Sequence, residues 1–211
     1  MKAHLLLLAL PLVSARAISA QGSSCIDQIR VPAVGQWAEY QAVFKQQEPY
    51  TMRYAVIGEE SRGGKALKWL ELRMTGNKKD GDMVTQMLVP GSAAELGDVQ
   101  EVVMKPGDKP AMKIDGPMLA MIREQMKKQS FLTDLCKDVT LVGGETVTVP
   151  AGKFKSQHFR SAKYGSDSWV SSKVPFSMIK TVGTDHELTL VRHGEGAESS
   201  ITEEPKSMGG P

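Results

Sequence analysis

Gln36-Trp37-Ala38-Glu39-Tyr40-Gln41-Ala42-Val43-Phe44-Lys45 is the stretch whose pattern decides the fold. Successive side chains of an extended chain point to opposite faces. Trp37, Glu39, Gln41 and Val43 therefore share one side, and Ala38, Tyr40, Ala42 and Phe44 share the other. The second row is the buried one, so the segment reads as a half-buried β-strand.

The same two-residue period runs outward from it. Gln46-Gln47-Glu48-Pro49 turns the chain, and Tyr50, Met52, Tyr54 and Val56 resume the alternation. Arg62-Gly63-Gly64-Lys65 is a hairpin signal, followed by strands over 66–74, 83–89 and 99–105, each bounded by Gly, Pro or Asn. After residue 136 the strand pattern returns over 138–142 and 145–149, with Gly143-Gly144 read as a hairpin turn between them. Val149-Pro150-Ala151-Gly152 places Pro and Gly second and fourth, as a type I turn prefers. Strands over 153–163, 168–171, 178–182 and 187–192 complete the set.

One segment breaks the pattern. Pro117 suits a first helical turn. Met118, Met121, Ile122, Gln125 and Met126 then recur at three- and four-residue steps, with Arg123, Glu124, Lys127 and Lys128 elsewhere. A helix is expected over about 117–129. The fold class is therefore mainly β: a curved antiparallel sheet or half-barrel of about ten strands, with one amphipathic helix on its concave face.

The ends frame a single domain. Lys2, the apolar run Leu5–Val13 and the small residues near Ala17 and Ala20 have the layout of a cleavable signal peptide over 1–20. That run is shorter than the ~20 residues a bilayer-spanning helix needs. The expected location is periplasmic or secreted, with no transmembrane segment in the mature chain. Residues 21–35 read as an irregular lead-in, 36–193 as the β-rich domain, and 194–211 as a disordered tail of Gly, Ser, Glu and Pro. Cleavage removes Lys2 and Arg16, leaving 24 basic against 24 acidic residues. A chain without net charge has no overall field to hold a nucleic acid.

Two cysteines, Cys25 and Cys136, survive cleavage. In an oxidising compartment such a pair is often bridged. A lipid on Cys25 and two unpaired thiols are the other readings, and Gly22 stands where a lipoprotein signal wants a large aliphatic residue.

Catalytic and metal signals are sparse. His158, His186 and His193 have no metal-ligand spacing, and 186 and 193 differ by an odd number on one strand. No Gly-x-Ser-x-Gly elbow or Ser-x-x-Lys set is present. Glu39 and Glu71 are candidates to line a cavity or to face water. The expectation is a non-enzyme with no metal and no cofactor. Nine methionines fall between Met52 and Met126. The thioether is flexible and polarisable, which suits it to core filling and to varied apolar ligands alike. Met118, Met121, Ile122 and Met126 on the helix, with Met83 and Met87 on a strand, are the candidate apolar pocket. Trp37, Trp69 and Trp169 all fall in strands.

Val149-Pro150-Ala151-Gly152-Lys153-Phe154, running on to Arg160, resembles the P-A-G-x-F hairpin of exported bacterial β-rich proteins of unknown function. Trp169-Val170-Ser171 with Val174-Pro175-Phe176 and Lys180 resembles the segment that follows it there. Gly35-Gln36-Trp37 and Lys68-Trp69-Leu70-Glu71 add to the likeness, which spans about 35–192. Such proteins look distantly like LolA-type periplasmic lipoprotein carriers. That resemblance implies an unclosed β-barrel over an apolar cavity, although a carrier of that type has several helices. The function expected is binding of an apolar ligand or lipidated segment. The alternatives are an envelope protein-interaction module with a packed core, and an unrecognised hydrolase using His158 or His186.

Overall fold

The computed structural model describes residue 29 and residues 31–78, 81–91, 98–128 and 138–208. The signal-like start, Cys25 and Cys136 lie outside these residues, as does the pairing expected of the two cysteines. Twelve strands form one open, curved sheet: β1 (Trp37–Phe44), β2 (Tyr50–Arg62), β3 (Lys65–Thr75), β4 (Met83–Pro90), β5 (Glu101–Pro106), β6 (Met112–Ile114), β7 (Val139–Val149), β8 (Gly152–Ser161), β9 (Ser166–Val170), β10 (Met178–Val182), β11 (His186–Gly194) and β12 (Lys206–Ser207). Helix α1 (Gly116–Lys128) separates β6 from β7. No helix among the described residues is long and apolar enough to cross a membrane.

The strand order is β12-β6-β5-β4-β3-β2-β1-β11-β10-β9-β8-β7. The sheet is thus two sequential meanders, β1 to β6 and β7 to β11, joined where β1 pairs with β11. Ala38, Tyr40 and Ala42 are fully buried, as the alternation of β1 requires. They anchor a cluster with Val56, Met178, Ile179, Leu188 and Leu190. Tyr40 donates its hydroxyl to the Met178 carbonyl at 3.2 Å. The sheet curves enough for the β7–β8 hairpin to reach β11: the Ala151 N–H donates to the Leu190 carbonyl at 3.4 Å, and Val147, Val149 and Phe154 join the same core.

Helix α1 packs beside that core. Its Leu119, Ile122 and Met126 meet Val89, Val99, Val102 and Ile114, and Leu70 belongs to both clusters. Arg123 clamps the helix to the sheet by donating to the carbonyls of Val99 at 2.6 Å and Gln100 at 2.7 Å.

Two expectations are corrected. Gly143-Gly144 does not turn the chain. β7 runs through it because β8 supplies partners on both sides, Gly143 opposite His158 and Gly144 opposite Gln157, with a bulge after Leu141. The reversal comes instead at Pro150-Ala151, where Val149 pairs with Gly152. The short strands β6 and β12 raise the count from about ten to twelve.

Residues 195–208, read as disordered, form an ordered strap across the face of β3 to β5 opposite α1. Ala197 and Ile201 are buried, and Ile201 packs with Val103, Ala111, Trp69 and Val84. Glu203 accepts from Lys105 Nζ at 2.6 Å and from the Ala111 N–H at 3.2 Å. The strap ends as β12, parallel to β6.

Candidate functional site

The structure divides the methionine set. Ile122 and Met126 face the sheet with Met87, all within the cluster of Val89, Val102 and Ile114. Met118 and Met121 face away from it, 42% and 62% exposed. Met83 sits at the far end of β4, lining a cleft of about 300 Å³ with Arg73, Lys105 and Ser200. Leu119, Ile122 and Met126 thus meet the sheet by direct packing.

His158 is the histidine best placed for chemistry. Its Nε2 lies 2.6 Å from Asp167 and its Nδ1 3.1 Å from Glu145. The imidazole stacks on Trp169 with centroids 4.6 Å apart, and the Trp169 indole N–H donates to the same Glu145 oxygen at 2.6 Å. Burial pushes the Asp167 carboxyl up, but hydrogen bonds from His158 and Arg160 outweigh it and hold the group below the usual carboxylate range. Both ring nitrogens are thus engaged by carboxylates. His186 contacts its neighbour Asp185 at 3.0 Å and stacks on Phe44. Among the described residues no group of three or more His, Cys, Asp or Glu is placed to hold a metal ion.

Two clefts are lined by more than one basic side chain and a single acidic one. The first, of about 410 Å³, is lined by Lys155, Lys173, Glu145, Gln157 and Ser171 among others. The second, of about 390 Å³, lies on the strap-bearing face and is lined by Trp37, Glu39, Thr51, Arg53, Arg73, Thr75 and Arg192. Its geometry follows from register: Glu39 lies opposite Arg192 on one side and Arg53 on the other, and Arg53 lies opposite Arg73. Arg192 binds Glu39 through Nε at 2.6 Å and Nη2 at 3.0 Å. That hydrogen bond and the Glu39 charge raise the pKa of the guanidinium. The Arg53 guanidinium sits 4.7 Å from the Trp37 ring centre. The indole lies against Gly194, and its N–H donates to the Glu195 carbonyl at 3.1 Å, where the strap begins.

Glu39 lines a cleft, as one of its two readings had it. Glu71 does not line one: it is buried beneath the strap. No local pattern marks the three arginines, because only the strand register brings residues 53, 73 and 192 to one face.

No family model matches the chain, and no curated protein matches it. Among solved structures it is similar to a protein from Bacteroides fragilis NCTC 9343 described as exported and as having a YmcC-like fold. That likeness has 11% identity and a TM-score of 0.43, covering 79% of this chain and 99% of that one. A protein from Parabacteroides distasonis ATCC 8503 described as a lipoprotein gives 14% identity and a TM-score of 0.38, covering 78% and 97%. Neither description names a LolA-type carrier, and likenesses of this size do not place the chain in a family.

Proposed function

We propose that this is an exported, non-enzymatic binding protein that receives an apolar or lipidated segment on the outer turn of α1. The observation carrying the reading is the split of the helix. Leu119, Ile122 and Met126 fix it to the sheet, while Met118 and Met121, three residues apart on its surface, stay exposed. Adaptable thioethers held on a seated helix form a soft contact for an acyl chain or apolar side chain. The signal-like residues 1–20 support export. The ring nitrogens of His158, both occupied by carboxylates, support a non-catalytic role.

The test is native mass spectrometry of the protein purified from the periplasm, wild type beside Met118→Glu/Met121→Glu. A bound mass of a few hundred daltons, present in the wild type and absent in the variant, is the expected result. A bare mass in both, with partner proteins captured equally by both, would replace this reading with a protein-interaction module. The packing between α1 and the sheet favours that second reading.

A further inference from the structure

We propose that the cleft formed by Trp37, Arg53, Arg73 and Arg192 on the strap-bearing face is a binding site for a phosphate monoester. The inference is independent of what α1 receives, because the cleft lies on the opposite face of the sheet.

The argument starts from charge accounting within the cleft. Three guanidiniums and one carboxylate line it. Glu39 is committed to Arg192 by two hydrogen bonds. The next carboxylate on this face, Glu71, sits two residues before Arg73 on β3. Its oxygens accept from Gln86 and Ser200 beneath the strap. Glu195, at the start of the strap, accepts from Gln36 Nε2 at 3.4 Å. Asp82, beyond Arg73, accepts the Gly76 N–H at 2.7 Å. Glu71, Glu195 and Asp82 keep their charge, but their oxygens are turned to other donors and none of them lines the cleft, whose own wall sets Arg53 and Arg73 beside the Glu39–Arg192 pair.

Arg53 and Arg73 are not placed at random. They are directly opposite one another on adjacent antiparallel strands, an arrangement that costs stability for like charges. Trp37 holds one of them by ring contact, and Gly194 makes room for the indole. Arg73 is exposed and has no side-chain partner among the described residues. A fixed guanidinium beside a free one, at cross-strand spacing, presents planar forks of N–H donors to a single small group. The hydroxyls of Thr51 and Thr75, opposite one another on the same strands, line the same cleft.

The ligand chemistry follows from the donor set. Guanidiniums match phosphate oxygens in paired hydrogen bonds. Two of them neutralise a dianion, whereas a carboxylate or a phosphodiester offers one negative charge. A phosphate monoester carries about two charges above its second pKa of about 6. Such a group exists on small phosphorylated metabolites and on lipids with a terminal phosphate, and the site reads the group rather than its source.

The test uses the whole mature protein at low salt, titrated with glycerol 3-phosphate and followed by NMR of the arginine side chains. Expected results are saturable shifts at Arg53 and Arg73, weaker binding of dimethyl phosphate and acetate, and loss of affinity between pH 7.5 and pH 5. Arg73→Gln, which removes no side-chain hydrogen bond or ion pair seen among the described residues, is expected to weaken binding roughly tenfold or more. It is also expected to melt no lower than wild type. Flotation with phosphatidylcholine vesicles, with and without phosphatidic acid, separates the sources: recruitment that Arg73→Gln abolishes assigns the group to a lipid, and binding of the soluble ester alone assigns it to a metabolite. Shifts no larger for glycerol 3-phosphate than for acetate, or affinity unchanged in Arg73→Gln, would overturn the proposal.

Discussion

Glu71 on β3 holds Ser200 on the strap. The Ser200 backbone N–H donates to one carboxylate oxygen at 2.8 Å, and its hydroxyl donates to the other at 2.6 Å. Gln86 Nε2 adds a third donor at 2.8 Å. With Glu71 only 1% exposed, the carboxylate has exchanged water for protein donors alone, and it is one of the points that attach the strap, beside Ile201 and Glu203.

Glu71→Ala strips all three donors of their acceptor inside a buried site. The expected loss is about 2–4 kcal/mol in urea unfolding. Glu71→Gln keeps the shape but brings an amide N–H toward donors, and loses about 1–3 kcal/mol. In both, amide exchange rises over 197–203 ahead of β1 and β11. Uniform protection across the molecule would show that the strap is held some other way.

Gly194→Val tests the seat of Trp37. A Cβ at 194 would stand 3.0–3.2 Å from indole atoms, so the ring must move, giving up its bond to the Glu195 carbonyl. Overpacking of this kind costs about 1–3 kcal/mol. Tryptophan fluorescence should shift to the red as the indole meets water. An unchanged spectrum with unchanged stability would mean that the ring has room to spare.

Asp167 sets an acid limit on the β8–β9 pairing. Its carboxyl is held below the ordinary range in the folded chain, so it stays ionised below the unfolded value of about 3.9. Its contribution to stability is full above that value and disappears as pH falls through the folded one. The stability difference between wild type and Asp167→Asn should therefore hold from pH 6 to pH 5 and begin to narrow as pH falls below the unfolded value of about 3.9. Unfolding midpoints at each pH measure it, and a gap that shows no narrowing below about pH 3.9 contradicts the assignment.

The two sides of α1 should respond differently. Met121→Glu changes an exposed side chain and should alter stability by no more than about 0.5 kcal/mol. Ile122→Glu drives a carboxylate into the cluster of Val89, Val102 and Ile114 and should cost about 3 kcal/mol or more. Thermal melts of the two variants decide it. Equal losses would mean that Met121 is covered too.

Local pattern made much of this architecture readable. The buried row of β1, the turns at Gly63-Gly64 and Pro150-Ala151, and α1 to within a residue at each end all follow from periodicity and turn chemistry. Gly143-Gly144 misled because a glycine pair serves a bulge as well as a turn, and the stronger Pro150 signal fixed the reversal six residues on. The strap was hidden for a different reason. It has no period, since it is held at single points by Ile201, Ser200 and Glu203, whose partners are far away in the chain. A glutamate set between Leu70 and Leu72 was the one local sign that β3 carried something on its other face. The arginine cleft left no local sign at all.

The pairing of β1 with β11 has a consequence for the order of assembly. β1 to β6 are joined by neighbours in the chain and can zip as they emerge. Yet the strand that begins this meander waits for residues 186–194 before its second edge is paired, and the apolar patch of Val103 and Ala111 waits for Ile201. Closure over such sequence distances is the slow kind. Until the last stretch of the chain arrives, the first half is an unfinished sheet with both edges and one face bare, β6 waiting for β12 as β1 waits for β11.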